Sequence, residues 1–528
     1  MRSKPAELSV SRASVCRPPG RPVRLLAAGV HFFALCWIAH SGAAQVAYSD
    51  LWGDKGEKWS PHSRLPDFSF AGYQRGEHPI PNPPVKANAR NFGAKGDGLS
   101  DDTAAINAAI AATTDGAILV PAGRYKITGL IRLNKPNLVL RGEGADRSVL
   151  VFPNTLTDVK PNWGATTTGK PTSNYSWSGG FVVIGGAAGK AQAGTAVVAP
   201  FPLRGDDWLT VPDVAGFLPG QWIDVKVTDD SGLSLSSWIY NRDSGLVKSL
   251  RPQTARQVAK IADIDLPGRR LRLDRPLRFD IRPEWTPEVR PFAPAVVNSG
   301  VENMGFEFPA LPYRGHFTEL GANALAIGNA AHCWIRNVRI ANSDSGIYAN
   351  GVHCTISDVV LTSARTPANK DTGHHGISVN GSDNLITRFD FQQRFIHDIS
   401  VQGAGSAGNV FSCGKGKDLC FDHHKQAPFS NLFTNIDCGA GNRVWSCGGG
   451  ANLGKNSGGW TTFWNLRAFK KLAFPPESFA PATINVIAIP TAEEAVKIPG
   501  GKWFETMRPE SIFPGDLHAA QLARRLRR

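Results

Sequence analysis

Between Lys370 and Trp445 the chain collects side chains able to do acid–base work on a substrate. Lys370-Asp371-Thr372-Gly373-His374-His375 is followed by Arg388, Arg394 and His397, then by Asp422-His423-His424-Lys425, Asp437 and Arg443. An imidazole titrates nearest neutrality, so His375, His397 and His423 are the candidate bases. Arg388 and Arg443 are candidate cations for neutralising a carboxylate on which charge builds. Asp422 completes the candidate catalytic set, and His374, His424, Lys425, Lys370, Asn380, Gln402 and Trp445 are the candidate substrate contacts. The bland alternative is a stack of satisfied histidines that holds loops.

Bases beside cations suit abstraction of the C5 proton of a uronic acid, followed by elimination. Hydrolysis needs two carboxylates flanking the bond, and Asp398, Asp418, Asp422 and Asp437 offer pairs. Asp398, Asp418 and Asp422 are also the ligands expected if calcium is used, although no contiguous acidic site is visible. A zinc set of His374, His375, His423 and His424 has the right ligand type, but neighbouring strand residues usually face opposite ways. Gly448-Gly449-Gly450 and Gly458-Gly459 lack the spacing of a phosphate-binding loop and read as turns. Trp445, Trp460 and Trp464 are able to stack on sugar rings or to pack.

The scaffold that positions these groups shows as repetition. Ala331-His332-Cys333-Trp334-Ile335-Arg336-Asn337-Val338 returns 21 residues later as Val352-His353-Cys354-Thr355-Ile356-Ser357-Asp358-Val359. Shorter echoes begin at Asn384, Asn409 and Asn431. A second strand repeats out of phase: Ser345-Gly346-Ile347-Tyr348 becomes His375-Gly376-Ile377-Ser378 and His397-Asp398-Ile399-Ser400, with weaker copies near Leu419 and Val444. Repeats of roughly 20–30 residues are the size of one solenoid coil, and each buries its apolar face only by stacking on the next. Alternation then places Ile347, Ile377, Ile399, Leu419 and Val444 inward. It places outward a column of Gly346, Gly376, Asp398, Asp418 and Arg443, a column of Tyr348, Ser378, Ser400, Cys420 and Trp445, and a column of Asn350, Asn380, Gln402, Asp422 and Cys447.

Upstream, Asn91-Phe92-Gly93-Ala94-Lys95-Gly96-Asp97-Gly98-Leu99-Ser100-Asp101-Asp102-Thr103-Ala104-Ala105-Ile106 and Gly116-Ala117-Ile118-Leu119-Val120-Pro121-Ala122-Gly123-Arg124-Tyr125 resemble the opening of the pectate-lyase superfamily. That group includes polysaccharide lyases, glycoside hydrolases and phage tailspikes. The resemblance implies an all-β, right-handed, single-stranded parallel β-helix. An Ala-rich helix from Ala104 to about Ala112, with Asp101 or Ser100 as its N-cap, would cover the open end. The polygalacturonase set of the same fold is absent; Gly373-His374-His375-Gly376 is a partial echo. The resemblance is specific for fold and weak for function; the titratable cluster favours a polysaccharide lyase, then a glycoside hydrolase, then a non-catalytic glycan-binding or surface β-helix.

The rest of the chain divides around this core. Residues 1–44, with Arg2, Lys4 and Arg12 before the apolar run Leu25 to Ala39, read as a signal peptide and imply a secreted or periplasmic protein with no membrane span once it is removed. Six basic residues and one acidic residue leave with it, so the net charge falls from +14 to +9. A basic secreted chain favours an anionic polysaccharide partner; no nucleic-acid motif is present, and oligomer formation is left open. Residues 45–87 read as an extended arm, 88–154 as the start of the β-helix with its capping helix, 155–300 as an inserted β-subdomain, 301–470 as the main β-helix, and 471–528 as a C-terminal extension ending in a basic amphipathic helix that closes the far end. Cys413–Cys420 and Cys438–Cys447 are the local disulfide candidates, with buried free thiols as the alternative.

Overall fold

The structure, a computed structural model, describes residues 45–166, 168–187 and 193–527; the expected signal peptide lies outside them. Short apolar strands recur once per coil and pair in parallel with the strand of the next. One wall runs through Ile131–Leu133, Val182–Ile184, Asn323–Ala331, Ser345–Val352, His375–Val379, His397–Val401 and Phe421–His423. The opposite side runs from Gly116–Val120 and Leu138–Gly142 through Gly300–Glu307, Trp334–Ala341, Thr355–Thr362 and Leu385–Phe391 to Leu432–Asp437 and Thr462–Arg467. The chain is a right-handed parallel β-helix.

Two corners explain the repeat. In the longer strands one residue takes a left-handed conformation: Asn303 (φ 58°), Asn337 (φ 50°), Asp358 (φ 56°), Arg388 (φ 52°) and Asn435 (φ 55°). Short polar side chains tolerate that region best. The bend divides each long strand into two wall segments. Gly300–Glu307 accordingly pairs with Leu138–Gly142 before Asn303 and with Ser148–Val151 after it. The second corner is left-handed at His332, His353, Asp383 and Ser430.

The residue after that second corner points into the coil, and there Asn384, Asn409 and Asn431 form a fully buried ladder. Asn384 Nδ2 donates to Asn409 Oδ1 (3.1 Å), and Asn409 Nδ2 donates to Asn431 Oδ1 (3.0 Å). Asn409 Oδ1 also accepts the Asn384 backbone N–H. Each buried donor left unpaired costs about 1–3 kcal/mol. Asn409→Leu orphans two donors, so urea unfolding should show a loss of about 2–4 kcal/mol. A loss below about 0.5 kcal/mol would show that the ladder is ornamental.

Aromatic rings continue the core toward the C-terminal coils. Phe411 and Phe433 stack at 4.6 Å, and Phe433 and Phe463 at 5.1 Å. The helix Thr103–Ala112 buries Ile106, Ala109 and Ile110 in the same core. Its first turn begins at Asp102, one residue beyond the expected cap. The Asp102 carboxylate instead accepts the backbone N–H groups of Lys95 and Gly96, while Asp101 accepts that of Thr103.

Several expectations need correction. The antiparallel insertion spans Thr195 to Pro291, in the order Thr195–Ala196, Glu288–Pro291, Trp222–Thr228, Thr254–Asp265, Arg270–Leu273, Trp208–Thr210. It is narrower than 155–300 because Val182–Ile184 is a rung of the coil, between Ile131–Leu133 and Leu325–Ile327. A three-residue rung is too short to show periodicity. The arm is packed: Leu51, Trp52, Leu65, Phe68 and Ala71 share an apolar cluster with Val410, Leu432, Trp464 and Leu517. The C-terminal helix Leu517–Leu526 lies along the side of the coil rather than across its end. Leu517 N donates to Thr434, Gln521 bonds Phe68 N and Pro66 O, and Arg525 bonds Ser69 and Glu77. Cys420, Cys438 and Cys447 are free thiols, so neither local disulfide forms; Cys438 belongs to the apolar core, and Cys420 and Cys447 accept the Asp398 and His423 N–H groups. Among the described residues no helix is long and apolar enough to cross a membrane.

Candidate functional site

Four strands set the site's frame: Ser345–Val352, His375–Val379, His397–Val401 and Phe421–His423. Their outer face carries Tyr348, Ser378, Ser400 and Asp422 in one column, with His375 beside His397 in another. The register corrects the sequence alignment by two residues. Phe421, not Leu419, lies opposite Ile399, so Asp422 neighbours Ser400 and not Gln402. A two-residue slip preserves the face but changes the neighbour. Alternation also breaks at Gly376, where a Cβ would come 2.2 Å from Phe391 in the core. Gly376 therefore faces inward, and His375 before it reaches Ser400 on the outside.

Asp422 is the hub. Fully buried, it accepts hydrogen bonds from Ser400 Oγ (2.9 Å) and Gly448 N (2.7 Å). His424 Nδ1 lies 2.9 Å and His397 Nδ1 3.1 Å from its Oδ2. Burial alone would raise its pKa, but His397, His424 and these donors outweigh it and hold the carboxyl far below the usual range. With Nδ1 at Asp422, His397 keeps a buried Nε2 that has no partner.

The imidazoles crowd together. Ring centroids lie 4.1 Å apart for His374 and His375, 5.0 Å for His375 and His397, and 5.1 Å for His397 and His424. His316, from the loop between Gly300–Glu307 and Asn323–Ala331, lies 4.5 Å from His374. Burial, with neighbouring histidines adding to it, pushes His374 and His375 well below the ordinary imidazole value. Burial brings His397 down to about 4, with Asp422 opposing. His424 goes the other way, because Asp422 outweighs burial. Glu319, on the same loop as His316, accepts the Tyr313 hydroxyl and lies 3.5 Å from His374; burial pushes it up to about 7.

Of the residues singled out by sequence, His374, His375, His397, Asp422 and His424 converge here. Arg443 stands beside them but is committed to Asp398 and Asp418, while Arg394 joins Asp418 to Asp371. Asn380 and Gln402 follow the strands, both half-buried. Others are elsewhere. His423 points inward among Phe433, Phe463 and Phe479, because strand alternation turns it opposite to Asp422. That removes it as a base and breaks the four-histidine zinc set. Arg388 occupies a left-handed corner of another wall and makes a bidentate pair with Asp358. Lys425 bonds Gly454 O, Lys370 sits on an exposed loop, and Trp445 packs against Phe463 and Phe479. Trp464 is fully buried and Trp460 packs on Trp238.

The calcium trio does not form. Asp398 accepts Phe395 N, Cys420 N and Arg443, Asp418 accepts Asn442 N, and Asp422 serves the histidines. Among the described residues, the groups able to hold a metal are His316–His374–His397 and His397–Asp422–His424. His316, Glu319 and Tyr348 had not been singled out as site residues. Tyr348 was visible in the outward column, but His316 and Glu319 come from a loop with no repeat partner. Arg388→Ala should leave turnover unchanged within about twofold, since an exposed pair contributes about 0–1 kcal/mol and touches nothing at the site. A tenfold loss in kcat/KM would return Arg388 to the site.

The fold and the site define a right-handed parallel β-helix protein with a buried histidine–carboxylate cluster on one wall. The family model described as "Rhamnogalacturonase A/epimerase, pectate lyase-like" matches residues 87–170. The matched stretch holds the opening coils and none of the histidine cluster. Mannuronan C5-epimerase AlgE1 of Azotobacter vinelandii is 35% identical over 100 residues, covering 17% of this chain and 7% of that protein. AlgE2 of the same organism is 53% identical over 45 residues, covering 8% of this chain and 4% of that protein. The chain thus spans a small part of these relatives. Among solved structures, the tailspike protein gp49 from Pseudomonas phage LKA1 aligns with TM-score 0.47 and 13% identity, over 72% of this chain and 59% of that one. The Azotobacter vinelandii AlgE4 A-module aligns with TM-score 0.35 and 13% identity, over 76% and 81%.

Proposed function

We propose that this protein is a secreted or periplasmic carbohydrate-active enzyme that cleaves an anionic polysaccharide by β-elimination at a uronic acid. The observation that carries the proposal is the buried Asp422 carboxylate holding two imidazoles in fixed orientation. His424 is the more open of them, with 27% of its side chain exposed. With Nδ1 fixed by Asp422, its Nε2 is the nitrogen that exchanges a proton with substrate. His424 takes the C5 proton, the electron pair of the C–H bond becomes the new C4=C5 double bond, and the C4–O pair leaves with the departing sugar's oxygen, which takes a proton from solvent water. The stretch shared with mannuronan C5-epimerases supports a uronate polymer, because epimerisation and elimination begin with the same C5 abstraction. The basic balance of the chain supports an anionic substrate.

A second reading, hydrolysis, draws on one observation. Glu319 stays protonated up to about pH 7 while Asp422 stays ionised, the divergence expected of an acid and a base. The test is a panel of anionic and neutral polysaccharides, followed both by near-ultraviolet absorbance and by reducing ends. Elimination yields both signals, and hydrolysis yields reducing ends alone. Deuterium uptake at C5 in heavy water without cleavage indicates epimerisation. Retention on a glycan with no product indicates a binding protein and overturns the proposal.

A further inference from the structure

We infer that His316, His374 and His397 form a binding site for one divalent transition-metal ion of the zinc class. One ligand atom from each lies within 4.8 Å of the others. Zinc–imidazole bonds of about 2.0–2.1 Å put tetrahedral ligands about 3.4 Å apart. Closing the set therefore takes shifts of about 1 Å, and His316 is the exposed member of the three.

Two features distinguish this set from a satisfied histidine stack. His374 and His397 are 2% and 5% exposed; His397 Nε2 has no hydrogen-bond partner, and His374 Nδ1 makes no hydrogen bond but lies 3.5 Å from Glu319 Oε1. A buried polar atom left unpaired costs about 1–3 kcal/mol, so His397 Nε2 points to an absent partner that accepts a lone pair. Moreover, His397 already gives its other nitrogen to Asp422. That carboxylate–histidine arrangement fixes the tautomer and makes Nε2 the better ligand. The competing group His397–Asp422–His424 is internally bonded and leaves no such orphan nitrogen between its members.

Three protein ligands leave a fourth position for water or a substrate oxygen. The site stands on geometry alone and goes beyond the elimination chemistry. It would also supply what that chemistry lacks, since Arg443 and Arg388 are both committed to carboxylates.

The experiment uses the full chain, stripped with a chelator and titrated at pH 7.5 with zinc by calorimetry and with cobalt by visible absorption. We expect one ion per chain, with a tetrahedral cobalt spectrum. His316→Ala and His397→Ala should each weaken binding by at least 100-fold, and His62→Ala, at an exposed histidine of the N-terminal arm that belongs to neither metal-capable group, should bind as the unmodified chain does. The exposed His316 keeps the test clear of folding. No stoichiometric binding, or equal affinity in His316→Ala, overturns the site. Loss on His424→Ala with His316→Ala unaffected places the ion in the other group and also overturns it.

Discussion

Asp422→Asn should lower kcat on the cleaved polysaccharide by about 10³–10⁴ with little change in KM. The carboxylate accepts from Ser400 and Gly448 and faces Nδ1 of both His397 and His424. An amide keeps the size but turns half of that surface into a donor. One imidazole must then present the wrong tautomer, and neither is stabilised as a cation. Because Asp422 is buried, circular dichroism and melting should be recorded beside the kinetics. Ser400→Ala removes a single donor and should cost about tenfold or less, which separates loss of the hub from general damage. A fall of less than tenfold in folded Asp422→Asn would show that the hub is structural.

Asp383→Ala should lower unfolding free energy by about 3–5 kcal/mol. Asp383 is buried at a coil corner and pairs with Arg275 (3.0 Å) and Arg278, both buried and both from the insertion. It also lies at the seam where Ala404, Ala407, Ala427 and Phe429 of the coil enter the insertion's core. Removing the carboxylate leaves two guanidinium groups buried without compensation. Burial would raise its pKa, but Arg275 and Arg278 hold it at about 2. The depressed value means that this stability is present above the unfolded carboxylate pKa of about 4 and is lost as pH falls toward 2. The step amounts to about 2 kcal/mol and should be missing from Asp383→Asn. Melting curves for both proteins between pH 5 and 2 check this, and parallel curves would contradict it.

The coil was legible because its inward residues repeat: Ile347, Ile377 and Ile399 do form one ladder. The alignment slipped where the rung shrank to Phe421–His423, too short for alternation to fix its place. That slip hid the contact of Asp422 with Ser400. His374, His375, His397 and His424 were legible as titratable groups on stacked rungs. His423 was misread because a doublet does not say which member faces out; only the register does. Arg388 was misplaced because its column is a corner and not a face. His316 and Glu319 were silent because a connecting loop carries no period, and only folding brings them to His374. Asp383 gave no sign of its role, since its partners lie over 100 positions upstream, in the loop that follows Arg270–Leu273 of the insertion.

A structure of Asp422→Asn soaked with an oligouronate tests most directly whether chemistry happens on the outer face of the stacked rungs. The sugar should lie over His316 and His424, the open members of the cluster, with one residue's C5 within about 3–3.5 Å of His424. Density only over the antiparallel insertion or the arm, with the histidine cluster bare, would contradict the account.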